Sequence, residues 1–293
     1  MTSRRDFLTT VAAGAGVAAF RPAWAAETPE VKTALKAPIG LQLYSLREQL
    51  KKDVPGTLAR ARAMGIRQVE GAGTWGQTPA EHRAALDKAG LVCQASHTGY
   101  ERLRDDLAGA FQEVKTLGGS WVVCPWIPHK EGAFTREDTL KAAELFNKVG
   151  KAAGGEGMKF AYHCHGYEFV ASPEGTLFDT LAGATDPKLV AFEIDTFWAK
   201  AGGGDPAKVI EKLPGRVPFL HVKDMQKGLS LPPGSSGAPH ETQVAVGTGQ
   251  IDWPSVFRAS EKGGALLYYI EDESPDPFGQ IPRSLEYLAG LKL

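Results

Sequence analysis

The chain has 293 residues, with 33 Lys and Arg against 34 Asp and Glu and a formal charge of −1. That balance argues against a nucleic-acid binder, whose phosphate contacts call for clustered Lys and Arg. The three cysteines, Cys93, Cys124 and Cys164, are widely spaced and each sits inside an apolar run, so no disulfide framework follows.

The first segment, SRRDFL, sets Arg4 and Arg5 ahead of Phe7 and Leu8; an uncharged Ala/Gly-rich stretch follows, and Ala23, Trp24 and Ala25 offer a small-residue cleavage site. A charged start, a short apolar middle and an Ala-x-Ala exit make a secretory signal of the twin-arginine type. The apolar stretch is well under the roughly 20 residues a bilayer span needs, so no stable membrane anchor is expected. Residues 1–25 are therefore expected to be a signal peptide recognised by the twin-arginine export machinery, 26–37 a linker, and 38–293 the folded domain, delivered to the periplasm. Deleting the signal removes Arg4, Arg5, Arg21 and Asp6 and takes the charge from −1 to −3.

From Pro38 onward short apolar or β-branched runs alternate with longer amphipathic ones, the signature of βα units. Strands are predicted at 39–43, 68–70, 91–96, 121–124, 160–163, 190–194, 219–222 and 266–270. Helices are predicted at 55–64, 79–88, 103–117, 136–153, 175–181, 206–213, 253–262 and 280–288. Gly65, Gly90, Gly118 and Gly215 follow helical patterns, where a left-handed C-cap is expected. Eight units close most economically as a single-domain (β/α)₈ TIM barrel, and α/β barrels of about 250 residues are common as one unit. A doubly wound fold would advertise a glycine-rich turn after its first strand, and the segment here, QLYSLREQL, has no glycine.

In such a barrel chemistry belongs at the C-terminal ends of the strands. Those ends carry Gln42, Tyr44, Glu70, His97, Trp126, His163, His165, Asp195, His221, Lys223 and Glu271. So many polar groups at equivalent positions suit the lining of one pocket better than a packed core. Four stand out because strands five to eight supply one each: Glu168 just beyond the fifth, Asp195, His221 and Glu271. A lone strand-end acid is usually a cap, and a lone strand histidine usually a hydrogen-bonded structural group. Four converging on one side of a barrel mouth suit a divalent ion, Mn²⁺ first, with Mg²⁺, Co²⁺ or Zn²⁺ as alternatives. His163 and His165 share one face of the fifth strand by period two, so either could take the place of Glu168.

The segments GLQLYSLRE, YHCHGYEF, EIDTFWAKAGGGDP, HVKDM, VGTGQIDW and IEDE resemble the sugar phosphate isomerase/epimerase group of the xylose isomerase-like TIM barrels over nearly the whole mature chain. The resemblance implies a catalytic ion held by Glu168, Asp195, His221 and Glu271. In related ketose epimerases the two metal-bound glutamates lie on opposite faces of the substrate and move a proton off and onto one carbon. Trp198 stands where those epimerases commonly have His, and Lys227 where they commonly have Arg. Both differences weaken the free-ketose C3-epimerase assignment.

The expected chemistry is proton abstraction next to a carbonyl, with Glu168 and Glu271 as the acid/base pair and His165 and Lys223 assisting. Reprotonation gives an epimerase or isomerase; loss of a β leaving group gives a lyase, as in dehydration or cleavage of a 3-keto-glycoside. No glycine-rich phosphate cradle or Arg cluster stands at the strand ends, which favours an unphosphorylated sugar or polyol. Gln42, Tyr44, Glu70, His97, Trp126, His163 and Trp198 are the expected substrate-binding groups. A Pro/Gly/Ser-rich stretch, 226–250, exceeds the usual βα connection and is expected to be a lid, a contact in a homo-oligomer or a disordered insertion. A sugar-binding protein would usually have two lobes, and the endonucleases built on this barrel would want more His ligands and a basic groove.

Overall fold

The computed structural model describes residues 30–130 and 132–293; the expected signal segment, residues 1–25, lies outside the described residues. Eight parallel strands form a closed barrel in sequential order. They are β1 (Ile39–Gln42), β2 (Gln68–Gly71), β3 (Val92–His97), β4 (Trp121–Cys124), β5 (Lys159–His163), β6 (Val190–Asp195), β7 (Phe219–Val222) and β8 (Leu267–Ile270). Closure is made by β1 against β8, with Gly40 opposite Tyr269 and Leu41 opposite Ile270. The predicted (β/α)₈ barrel is therefore the fold, and its strands lie within two residues of their expected bounds.

Eight principal helices return the chain to the bottom of the barrel: α1 (Val54–Ala63), α2 (Pro79–Ala89), α3 (Leu107–Thr116), α4 (Arg136–Gly155), α5 (Leu177–Ala184), α6 (Pro206–Glu211), α7 (Trp253–Gly263) and α8 (Pro277–Gly290). Reciprocal capping boxes start α2 (Thr78 with Glu81), α4 (Thr135 with Asp138) and α5 (Thr176 with Asp179). Gly65, Gly90, Gly118 and Gly215 all have positive φ, as their position after helical patterns requires. The helix expected over 103–117 is broken, because Asp106 leaves helical geometry (φ −140°) to cap α3 through the amide of Gly109. Among the described residues no helix is long and apolar enough to cross a membrane.

Period two along the strands sorts the barrel interior by depth. Ala95, Trp121, Val123, Ala161, Phe219, Leu267 and Tyr269 fill the lower interior with an apolar plug. Two residues further on, the same inward face turns polar: His163 follows Ala161, His221 follows Phe219, and Glu271 follows Tyr269. The alternate face, including Val122, Phe160, Tyr162, Phe192 and Leu220, joins the larger core shared with the helices.

The stretch 226–250 is folded over the mouth. Asp224–Met225 pairs antiparallel with Gln243–Val244. Between them Leu229, Leu231 and Ala238 pack on Phe197, Trp198, Ala201 and Met225. The return of the chain is fixed by the buried Asp224 carboxylate, which accepts hydrogen bonds from Gly247 N (2.8 Å), Gly249 N (3.0 Å) and Trp253 Nε1 (3.0 Å). A Cβ at Gly249 would stand 2.1 Å from Asp224 Oδ1, so the VGTGQIDW stretch needs its second glycine. The stretch is thus an ordered cover with a packed underside, and the expectation of a disordered insertion is corrected accordingly.

Candidate metal centre

Four side chains from consecutive strands meet at the barrel mouth. His163 ends β5, Asp195 ends β6, His221 lies in β7 and Glu271 follows β8; all are buried, and one ligand atom of each falls within 4.8 Å of the others. His221 Nδ1 is 3.1 Å from Glu271 Oε2 and 3.9 Å from Asp195 Oδ2. Asp195 Oδ1 accepts a hydrogen bond from the amide of Trp198 at 2.8 Å, while its Oδ2 is buried with no hydrogen-bond partner. An orphaned carboxylate oxygen beside two imidazoles and a second carboxylate fits a divalent cation, and the mixed N/O set suits Mn²⁺ or Zn²⁺.

Glu168 is not brought into this group. After His163 the chain turns into a 3-10 segment, Tyr167–Phe169, and the Glu168 carboxylate is turned toward Tyr162, on the helix-facing side of β5. It accepts a short hydrogen bond from the Tyr162 hydroxyl and two from the amide of His165, at 3.0 and 3.1 Å. Burial pushes its carboxyl up to about 8 against those hydrogen bonds. His163, one of the two substitutes that period two left open, stands in this group, and Glu168 does not.

Lys223 is buried between carboxylates, with Nζ 3.0 Å from Glu271 Oε2 and 2.5 Å from Glu273 Oε1. Burial opposes charge on Glu271, but the Lys223 ammonium and then His221 outweigh it and hold the carboxyl well below its usual range. For Lys223 burial is likewise overcome, by Glu271 first and Glu273 next, and the ammonium is held more firmly than usual. Burial dominates for Asp195, which is raised to about 7 although Lys223 pulls the other way. Burial, with His221 beside it, lowers His163 to about 4; burial and then His163 lower His165 well below the usual imidazole range.

Above these groups is a cavity of about 590 Å³. Tyr44, His97, Trp126, His163, His165, Trp198 and Glu271 line it, and the cover supplies Ser236, Gly237, Ala238, His240 and Gln243. His165 stands among aromatic rings, with Trp126 at 5.0 Å and Trp198 at 5.5 Å between centroids, and its Nδ1 is buried without a partner. Of the expected substrate-binding groups, Gln42 and Glu70 do not reach the cavity. Both are fully buried beneath it, where Gln42 Nε2 donates to Glu70 Oε2 at 2.6 Å. Glu193, which sequence reasoning passed over, lies there too, its Oε2 3.0 Å from His163 Nδ1, 3.0 Å from His221 Nε2 and 3.1 Å from His97 Nε2. Its signal was available: two residues before Asp195, it shares that residue's inward face.

A closed eight-stranded barrel with a carboxylate and imidazole centre at the C-terminal ends of β5 to β8 defines a TIM-barrel protein built to carry out chemistry at its mouth. The chain belongs to the xylose isomerase-like TIM barrel family, whose model matches residues 58–291. Among solved structures it is similar to a sugar phosphate isomerase/epimerase from Parabacteroides distasonis, with 26% identity, a TM-score of 0.69, and coverage of 85% of this chain and 92% of that one. Its fold is also that of an IolI protein solved with a bound zinc atom, at 15% identity and a TM-score of 0.62, covering 85% of this chain and 94% of that one. Among curated proteins it is similar to inosose dehydratase of Clostridium perfringens, 29% identical over 160 residues, which are 52% of this chain and 52% of that protein. The chain thus spans about half the length of the curated relatives it matches.

Proposed function

We propose that this protein is a divalent-metal-dependent enzyme that removes a proton next to the carbonyl of an unphosphorylated sugar, keto-sugar or keto-polyol. The observation that carries the reading is Glu271: a carboxylate on the cavity wall, kept ionised by Lys223 at 3.0 Å and set among His163, Asp195 and His221. A divalent ion held by His163, Asp195, His221 and Glu271 would act as a Lewis acid toward the substrate carbonyl. Glu271 takes the proton from the adjacent carbon. Lys223 does not line the cavity, so it acts through Glu271 by fixing its charge and direction. His165 is neutral at physiological pH with a free, buried Nδ1, which suits it to accept or return a proton at a substrate hydroxyl. Trp126, Trp198 and Tyr44 offer apolar faces to a sugar ring. Among the described residues that line the cavity there is no Arg and no Lys, which supports a substrate without phosphate.

Two fates of the resulting carbanion fit one pocket. Return of the proton gives isomerisation or epimerisation. Loss of a β-hydroxyl gives dehydration, the reading favoured by the inosose dehydratases among the curated relatives. Export through the twin-arginine route to the periplasm is part of the proposal and rests on the SRRDFL segment.

The test is proton NMR of the Mn²⁺-loaded protein with a panel of sugars, keto-sugars and inososes in D₂O. Deuterium entering at a carbon next to the carbonyl is expected, and the product separates the two fates. Absence of exchange with the whole panel would falsify the reading. Cell fractionation of the full chain, with and without Arg4→Lys and Arg5→Lys together, tests export; a cytoplasmic wild-type protein overturns that part.

A further inference from the structure

Beneath the four groups of the mouth is a second convergence that the proposed chemistry leaves unexplained. His97, His163, Glu193 and His221 also bring one ligand atom each within 4.8 Å of one another. Glu70 joins them from β2: its Oε2 is 2.8 Å from His221 Nε2 and 3.4 Å from His97 Nε2. Glu193 Oε2 lies 3.0 to 3.1 Å from three imidazole nitrogens. His97 belongs to this lower group alone, and it also lines the cavity, which gives the group an opening to the mouth.

We propose that the lower group holds a second divalent cation, with His97, Glu70 and Glu193 as its own ligands. Three observations carry this. Glu70 Oε1, Glu193 Oε1 and the Tyr269 hydroxyl are all buried without a hydrogen-bond partner, and Tyr269 pairs in register with His221 at the base of the group. Buried polar atoms left without a partner in one region of the interior indicate a water or an ion there. Next is charge. Glu70 and Glu193 are fully buried, and among the described residues their hydrogen-bond and ion-pair partners are Gln42 and three histidines, with no Lys or Arg. Two buried carboxylates carry a heavy desolvation cost that the three neighbouring imidazoles offset only when protonated, and one divalent ion would balance both. Last is spacing. Neighbouring ligands around an ion with bonds of about 2.1 Å lie about 3 Å apart. Within the proposed set, His97 Nε2 lies 3.1 Å from Glu193 Oε2 and 3.4 Å from Glu70 Oε2, close to that spacing.

His163 and His221 then remain ligands of the mouth, and their other ring nitrogens face the carboxylates of the lower ion. Carboxylates in that position orient ligand imidazoles and raise their basicity. The two centres are therefore linked through Glu193.

The test is metal content. The full chain, stripped with chelator, dialysed to equilibrium against Mn²⁺ and analysed by inductively coupled plasma mass spectrometry, should saturate at two ions per chain. His97→Asn and, separately, Glu193→Gln should each saturate at one, with circular dichroism reporting the fold. In wild type, electron paramagnetic resonance should show two spin-coupled Mn²⁺ ions, and an uncoupled signal in His97→Asn. Saturation of the wild-type chain at one ion that His97→Asn retains overturns the inference and leaves the proposed function standing; binding of no ion overturns both. The wild-type stoichiometry decides the matter even if a variant fails to fold.

Discussion

Lys223 Nζ lies 3.0 Å from Glu271 Oε2, with both side chains buried at the foot of the cavity. The ammonium is what keeps this carboxylate ionised where burial alone would protonate it. Glu271→Gln should fold normally and lose turnover by about 10²–10⁴-fold, the usual worth of a positioned general base. Lys223→Met should leave some activity but move the acid limb of the kcat/KM profile to higher pH, since Glu271 then loses the charge that lowers it. An unmoved acid limb would show that the pair does not act together.

Glu168 offers a prediction with the opposite sign. Its carboxyl has an ordinary value of 4.5 and is raised to about 8 by burial in the folded chain. Between those values the folded state binds more protons than the unfolded one, so this group's contribution is complete below about pH 4.5 and is lost as pH rises toward 8. Glu168→Gln should therefore flatten the decline in melting temperature across that window. It should also keep bound metal and most activity. A variant that cannot bind Mn²⁺ would return Glu168 to the ligand set.

Removal of metal tests the mouth directly. Chelation should abolish deuterium exchange into substrate, and Mn²⁺ should restore it. Melting temperature should climb with Mn²⁺ concentration, as an ion at 100 times its Kd stabilises the folded state by about 2.7 kcal/mol. Asp195→Asn should weaken binding by ~100-fold or more, since outer-shell losses alone typically cost about 10–100-fold. Titration calorimetry reads this out.

The cover depends on a backbone approach that only glycine permits. Gly249→Ala places a methyl 2.1 Å from Asp224 Oδ1 and 2.4 Å from the Met225 carbonyl. Overpacking of this kind costs about 1–3 kcal/mol. The variant should melt lower and show a raised KM, because Ser236, Gly237, Ala238, His240 and Gln243 lose their place on the cavity wall. Unchanged KM would mean the cover does not touch substrate.

The barrel was legible in the sequence because each inward face changes from apolar to charged over two to four residues, and period two survives as long as the strand does. Asp195, His221 and Glu271 were found on that basis. Glu168 lies beyond the reach of that pattern: the strand ends at His163, the chain then turns at Tyr167–Phe169, and no periodicity says which way a side chain leaves a turn. Glu193 shares the inward face of Asp195 but sits two residues inside the strand, where the pattern alone marks interior packing rather than a site. The break at Asp106 was masked by an otherwise continuous helical pattern in 103–117.

The four groups of the mouth come from the consecutive strands β5 to β8, whereas Tyr44, Ala72, Pro125 and Trp126 reach the cavity from the connections after β1, β2 and β4. The early connections thus shape part of the cavity without supplying any of the four groups of the mouth. Variation in the early connections can retune which molecule is accepted while the later half keeps its chemistry, so a library confined to the segments after β1, β2 and β4 would sample new substrates on a constant reaction.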